Sequence, residues 1–126
     1  MLDAMHEALL REHGGAPGVR DSGLLDSALA RPRHKFIYAK AASLATLAAS
    51  YLYGLAKNHG FVDGNKRVAL MAAYAFLGLN GRDLDAGEPE VADVVDGVAA
   101  GRITERALAS WLRARMRPLG RKASRA

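Results

Sequence analysis

The stretch NHGFVDGNKRVAL, Asn58 to Leu70, places a histidine, a carboxylate, an amide and two cations directly before a run of hydrocarbon. Histidine can take a proton from a hydroxyl near neutral pH. A carboxylate offers the hard oxygen ligand that Mg²⁺ prefers, and lysine and arginine can neutralise phosphates as charge moves to a leaving oxygen. These residue types indicate phosphoryl or nucleotidyl transfer to a hydroxyl, without a covalent enzyme intermediate.

The helix that follows this stretch suggests where phosphate would bind. We expect HGFVDG to be a loop between two buried helices, with Asp63 as the helix cap and Gly64 at the helix start. The first N–H groups of a helix lack internal partners and carry partial positive charge, so they form an anion site. Lys66 and Arg67 in that turn oppose the helix dipole and cost stability unless an anion offsets them.

Each of these residues also has an ordinary structural interpretation. Asp63 and Asn65 are common helix caps. Lys66 and Arg67 can form a solvated face, and His59 can be a loop histidine without a function. Their joint occurrence beside an apolar helix favours the functional interpretation.

Other kinds of site lack their motifs in this sequence. There is no P-loop, no dinucleotide-binding fingerprint and no HExxH zinc motif. His6 and His13 lie on one face of the first helix and can approach a metal, but no third ligand is near them in the sequence. The absence of cysteine excludes disulfides and thiolate metal sites.

Helical periodicity begins at the start of the chain. A first helix from Leu2 is expected to stop at Gly14, where two glycines follow each other. Asp21 or Ser22 can cap a short second helix, which we expect to end at Pro32 because proline lacks the N–H that continues a helix.

The rest of the chain also has helical period. An alanine-rich helix ending near Asn58 and an almost wholly apolar helix over Val68–Leu79 are expected in the middle of a bundle. Pro89 suits the first turn of a later helix that stops at Gly101, and Thr104 can cap the last one. The sequence predicts an all-α fold, a compact single-domain bundle of about six helices.

Basic residues are concentrated at the end of the chain. The net charge is +5, and four cations lie in the last ten residues, where there is no acid. We expect a domain over 1–116 and a basic, disordered tail over 117–126. The longest uncharged run is too short for a membrane span, and together with the lack of cysteine this favours a cytoplasmic protein.

The motif HGFVDGNKR resembles the signature of the Doc (death-on-curing) toxins, a branch of the Fic superfamily, written HxFx[DN][AG]NKR. Every fixed position matches. The segments EHGGAPGVRDSGLLDSALARP and FLGLNGRDL and the final helix pair also resemble members of that family. Only the basic tail lies outside the resemblance.

The resemblance implies a role for each matching position. His59 would be the catalytic residue that activates a target hydroxyl, Phe61 a buried structural anchor, and Asp63 the Mg²⁺ ligand. The residues implied to bind the nucleotide phosphates are Gly64, Asn65, Lys66 and Arg67.

The AMP-transferring Fic enzymes have the motif HPFx[DE]GNGRxxR. Two of the positions at which this sequence departs from that motif imply that a group other than AMP is transferred. Lys66 stands where those enzymes have glycine, and Leu70 replaces their second arginine. In Doc-type members the lysine accompanies a reversed nucleotide, so that ATP donates its γ-phosphate and not AMP. Gly60 replaces a frequent proline.

The resemblance further implies the toxin of a toxin–antitoxin pair, which phosphorylates a threonine of elongation factor Tu and blocks translation. The sequence contains no [ST]xxxE[GN] inhibitory motif. Restraint is therefore expected from a partner, a Phd-like antitoxin whose C-terminal segment folds over the site.

Two alternatives from other functional classes stay open. One is an AMP or other nucleotidyl transferase on the same fold, which differs in the end of ATP that is transferred. The other is a non-catalytic binding module, such as a regulator that uses the basic tail to contact nucleic acid. Removal of the residues after Arg117 would distinguish the latter.

Overall fold

The computed structural model describes residues 2–39 and 43–119, which confirm the expected all-α bundle. Within these ranges, six helices and two short strands follow in the order α1 (Leu2–His13), α2 (Ser22–Ala39), α3 (Leu44–Asn58), α4 (Asn65–Leu79), β1 (Arg82–Leu84), α5 (Glu88–Ala99), α6 (Glu105–Arg115) and β2 (Met116–Pro118). No helix in these two ranges combines the length and the apolar character that crossing a membrane requires.

The alanine-rich helix α3 lies at the centre of the bundle. It packs against α2, α4, α5 and α6, while α1 packs against α4. Ala48, Ala49 and Ala56 are completely buried in α3, and a methyl group at Gly54 would lie 3.3 Å from Cβ of Ala28 in α2. The small side chains allow the neighbouring helices to approach α3 closely.

Local signals in the sequence correctly predict several helix ends. Helix α1 ends at His13, and α4 ends at Leu79 before Gly81, which has φ +73°. Thr104 caps α6, because its hydroxyl accepts a hydrogen bond from the N–H of Ala107 at 3.1 Å. Gly101 follows the end of α5 with φ +82°, as expected of a glycine that stops a helix.

The expected stop at Pro32 is wrong. Helix α2 continues through Pro32 to Ala39. Proline removes one helical hydrogen bond and crowds the preceding turn, but the Pro32 ring is buried. Burial of that ring against the bundle offsets part of the local cost, so tertiary packing overrides the local signal.

A two-stranded antiparallel sheet, which the sequence did not predict, extends the ordered chain past the expected boundary at Arg117. Strand β1 pairs with β2 so that Asp83 faces Arg117. The Arg117 guanidinium also contacts the carboxylates of Asp83 at 3.2 Å and Asp85 at 3.0 Å, and the N–H of Leu119 donates to the carbonyl of Gly81. These contacts hold residues 117–119 beside β1, and residues 120–126 lie outside the described residues.

Gly60 sets how closely the loop between α3 and α4 approaches α2. The residue is buried, and a methyl group there would lie 2.4 Å from Cδ2 and 2.6 Å from Cγ of Leu25. Leu25 is itself a core residue, 7% exposed. A side chain at Gly60 therefore requires the buried Leu25 side chain, the loop or α2 to move.

We expect Gly60→Ala to destabilise the fold by about 1–3 kcal/mol, the usual cost of overpacking a core. The matched control is Gly78→Ala in α4, where a methyl group would meet nothing within 4 Å and should stabilise the helix by about 0.5–1 kcal/mol. Thermal or urea unfolding measures both variants. Equal stability of Gly60→Ala and the wild type would show that Leu25 does not restrict the loop.

Candidate functional site

The first six residues of the motif, His59 to Gly64, form a loop between the two central helices. The last three residues, Asn65 to Arg67, form the first turn of α4. His59 ends α3 in the left-handed conformation, with φ 51° and ψ 45°. Gly64 begins α4 in the same region, with φ 80° and ψ 14°. A residue with a Cβ atom is strained in this region, so Gly64 suits the tight start of α4.

Phe61 holds the middle of the loop in the core. Its side chain is 1% exposed and stacks on the ring of His6 from α1, with 3.9 Å between the ring centroids. The Phe61 N–H donates to Oδ1 of Asn65 at 2.9 Å, and Nδ2 of Asn65 donates to the Phe61 carbonyl at 3.0 Å. Nε2 of His6 donates to the carbonyl of Asp63 at 2.8 Å.

This arrangement gives His6 a structural position that the sequence did not indicate. His6 is 4% exposed, whereas His13 is exposed at the end of α1 and lies 3.8 Å from Glu12. In the described part of the chain no three His, Cys, Asp or Glu side chains are grouped so that they could hold a metal ion.

The loop between α1 and α2 supports the other side of the motif. The N–H groups of Arg20 and Asp21 both donate to the Gly60 carbonyl, at 2.8 and 3.0 Å. The Arg20 guanidinium donates to the carbonyl of His59 at 2.7 Å and to that of Asn58 at 3.3 Å. Arg20 thereby satisfies carbonyls that the end of α3 leaves without helical partners.

The sequence offered no reason to select Arg20 as a site residue. It lies thirty-nine positions from His59, within a glycine-rich loop. Its one sequence signal is its position within a segment that resembles the Doc toxins. The contact depends on tertiary structure, which places the α1–α2 loop at the end of α3.

Asp63 is not the helix cap that the sequence predicted, since Gly64 occupies that position without a side-chain cap. Oδ2 of Asp63 accepts the Ala16 N–H at 3.2 Å and Oδ1 accepts the Gly64 N–H at 2.8 Å. These hydrogen bonds, from Ala16 first and Gly64 second, and the nearby charge of Arg67 hold the pKa of the Asp63 carboxyl below its usual 3.8. Asp63 is therefore an exposed, ionised carboxylate at neutral pH.

The predicted site residues except Phe61 meet in one cleft of about 770 Å³. The motif residues that line it are His59, Val62, Asp63, Gly64, Asn65, Lys66 and Arg67. Phe61 lies beneath the loop. The opposite wall comes from the end of α5 and the following turn, and includes Asp96 and Arg102, which the sequence did not indicate. The functional roles of the motif residues stay predictions.

Backbone N–H groups at the start of α4 contribute to the cleft. The first intrahelical bond runs from the Val68 N–H to the Gly64 carbonyl at 3.0 Å. The N–H groups of Asn65, Lys66 and Arg67 precede it and have no carbonyl one turn earlier in the helix. This end of the helix dipole therefore favours an anion.

The charge conflict that the sequence suggested at Lys66 is partly resolved within the protein. Nζ of Lys66 lies 2.9 Å from Oδ1 of Asp96, across the cleft. A carboxylate of this chain thus offsets the ammonium at the positive end of the helix dipole. Arg67 is exposed, and its charge acts on Asp63.

Comparison with known proteins relates this chain to one family. The sequence model described as the Fic/DOC family matches residues 1–77, which include the motif and almost all of α4. A "Protein kinase doc" from Escherichia phage P1 is 37% identical over 112 residues, covering 89% of this chain and 88% of that protein. A "Toxin Doc" from Mycolicibacterium smegmatis is 51% identical over 75 residues, covering 58% of this chain and 57% of that protein.

The lowered pKa of Asp63 predicts how the stability of its variant depends on pH. A carboxylate whose pKa is lowered by folding stabilises the folded state above its unfolded pKa, and this contribution is lost as pH falls through the folded pKa. The difference in unfolding free energy between wild type and Asp63→Asn should therefore be constant above about pH 5 and shrink at lower pH.

Urea unfolding at a series of pH values measures this difference. Asp93→Asn, which removes an exposed carboxylate from α5, controls for the loss of one negative charge. A difference between wild type and Asp63→Asn that stays the same down to about pH 2 would contradict the assigned hydrogen bonds.

Proposed function

The chain belongs to the Fic/DOC family, and from this premise we propose that it is a toxin that transfers the γ-phosphate of ATP to a hydroxyl of a target protein. The names of two relatives, a protein kinase and a toxin, support the two parts of this proposal. The observation that carries it is a cleft where an exposed histidine, an ionised carboxylate and the start of a buried helix meet.

His59 is proposed to accept the hydroxyl proton. The bond from the hydroxyl oxygen to the γ-phosphorus forms, the bond from that phosphorus to the oxygen bridging to the β-phosphate breaks, and ADP leaves. The imidazole takes the proton of the attacking hydroxyl. The side chain of His59 is exposed in the cleft, so a hydroxyl of another protein can approach it.

The residues present fit Mg²⁺ bound together with ATP. Each oxygen of the ionised Asp63 carboxylate accepts one hydrogen bond and retains a further lone pair. Asp63 would hold the metal as a single protein ligand, with ATP oxygens and water completing the shell, as Mg²⁺ commonly does. When bound, the metal would neutralise part of the phosphate charge.

The start of α4 is proposed to hold the phosphates of ATP. The N–H groups of Asn65, Lys66 and Arg67 can donate to phosphate oxygens, and Gly64 leaves the backbone accessible. The side chains of Lys66 and Arg67 add two cations. The Asn65 amide is engaged by Phe61, so Asn65 contributes its backbone N–H and not its side chain.

We further propose a threonine of elongation factor Tu as the acceptor, with arrest of translation as the consequence, and a Phd-like antitoxin as the inhibitory partner. The name of the relative called a toxin supports the antitoxin pairing. The acceptor follows from the resemblance of the motif to those of Doc toxins.

The decisive experiment incubates the protein with Mg·ATP labelled on either the α- or the γ-phosphate and with elongation factor Tu. Label from the γ-position on a threonine supports the proposal. Label from the α-position supports the nucleotidyl transferase, and no label from either position contradicts transfer to elongation factor Tu. Intact-mass spectrometry of the acceptor separates the three outcomes.

His59→Asn should reduce this transfer by about 10²-fold or more, since it removes the proton acceptor. Asparagine suits the left-handed backbone of His59 better than alanine, so His59→Asn should melt close to wild type. His59→Ala should show the same loss of transfer with an added loss of about 1 kcal/mol in stability. Wild-type transfer by His59→Asn at equal concentration would exclude His59 as the base.

Lys66 is expected to set which phosphate is transferred. Lys66→Gly removes the ammonium and opens the start of α4, so a diphosphate can lie against the bare N–H groups. We expect less γ-phosphate transfer and new AMP transfer, measured as adduct masses on the acceptor. The free energy of unfolding should fall by about 1 kcal/mol, through glycine in a helix and the lost ion pair with Asp96.

Lys66→Gln is the matched control for this experiment, because it removes the charge and keeps a side chain with good helix propensity. It should lower γ-phosphate transfer without permitting AMP transfer. A phosphate adduct that persists undiminished in both variants would show that Lys66 does not direct the nucleotide.

A further inference from the structure

The wall of the cleft that faces the motif carries an acidic side chain with no place in the proposed reaction. Asp96 lies in the last turn of α5, and its backbone carbonyl accepts the N–H of Ala100 at 2.9 Å. Its carboxylate lines the cleft together with the motif residues. A negative charge in a cleft that is proposed to bind ATP opposes the ligand, so its presence there needs a physical explanation.

The contact with Lys66 provides that explanation. Oδ1 of Asp96 lies 2.9 Å from Nζ of Lys66, and the two side chains are 54% and 53% exposed. Asp96 thus holds the ammonium that a phosphate oxygen would contact. Phosphate and Asp96 are both anionic oxygen ligands, so they compete for the same donor.

We propose that Asp96 is a specificity-determining residue that competes with phosphate for Lys66. The inference rests on the proposed function in that the competing ligand is a polyphosphate. Asp96 lowers the affinity for every phosphate compound that uses Lys66 and leaves compounds that do not reach Lys66 unaffected. A ligand of high charge density, such as a triphosphate, can displace the carboxylate more readily than a monophosphate can.

Asp96→Asn tests the proposal by calorimetric titration with Mg·ATP, inorganic tripolyphosphate and AMP. The substitution should tighten Mg·ATP and tripolyphosphate binding by about 2- to 5-fold, the scale of an exposed ion pair that the ligand no longer has to break. The gain should decrease at about 0.5 M salt, since the side chains are exposed and screened. Asp93→Asn, from an exposed position of the same helix, should change affinity by less than about 2-fold.

A Lys66→Gln background separates competition from simple charge repulsion. With Lys66 absent, Asp96→Asn should change the affinity for both polyphosphates by less than about 2-fold. An equal gain in both backgrounds would overturn the proposal, because Asp96 would then act on the ligand and not through Lys66. Unchanged or weaker binding by Asp96→Asn alone would also overturn it.

The same titrations distinguish failure of this inference from failure of the proposed function. Wild type that binds Mg·ATP while Asp96→Asn binds it no more tightly contradicts only the role of Asp96. Binding of neither polyphosphate by either protein contradicts both proposals. Binding by Asp96→Asn alone supports the competition and counts against the use of ATP by the wild type.

Discussion

The two hydrogen bonds between the Asn65 side chain and the backbone of Phe61 are the constraint on which the cleft depends. The chain must connect two central helices within six residues, and the N–H and carbonyl of the buried Phe61 need hydrogen-bond partners there. A buried backbone group without a partner costs about 1–3 kcal/mol. Asparagine has a donor and an acceptor at the end of one short side chain and satisfies both groups, which neither an aspartate nor an aliphatic residue can do.

Much of the fold follows from signals that are local in the sequence. The glycines after α1 and α4 and the Thr104 hydroxyl act within one turn of the helix ends they define, so the sequence alone predicts those ends. Pro32 is different, because its cost is local whereas the burial that offsets it depends on the whole bundle. Strand β2 also depends on distant partners, since α5 and α6 separate Arg117 from Asp83 along the chain.

The candidate site also combines residues that a local sequence pattern identifies with residues that only the tertiary structure brings together. Its motif residues are contiguous in sequence, so a single pattern finds them, and the structure places most of them in one cleft. Three residues that contact the motif lie far from it in sequence: His6 in α1, Arg20 in the α1–α2 loop and Asp96 in α5. The charge of Lys66 could be predicted to need an anion, but the identity of that anion could not, because Asp96 lies on another helix.

The residues of the motif therefore fall into two groups: some fix the backbone of the loop, and others present charge at its edge. Phe61 and the Asn65 side chain are engaged within the protein, where hydrogen bonds and burial fix the backbone between His59 and Gly64. Backbone N–H groups held in this way need little reorganisation when an anion binds, which is the condition for strong electrostatic stabilisation. Lys66 is long, exposed and paired with another exposed side chain, so its ammonium can change partners at small cost. In the proposed function, the backbone held by Asn65 would position the anion, and the exposed side chains at the edge of the cleft would supply the charge that selects it.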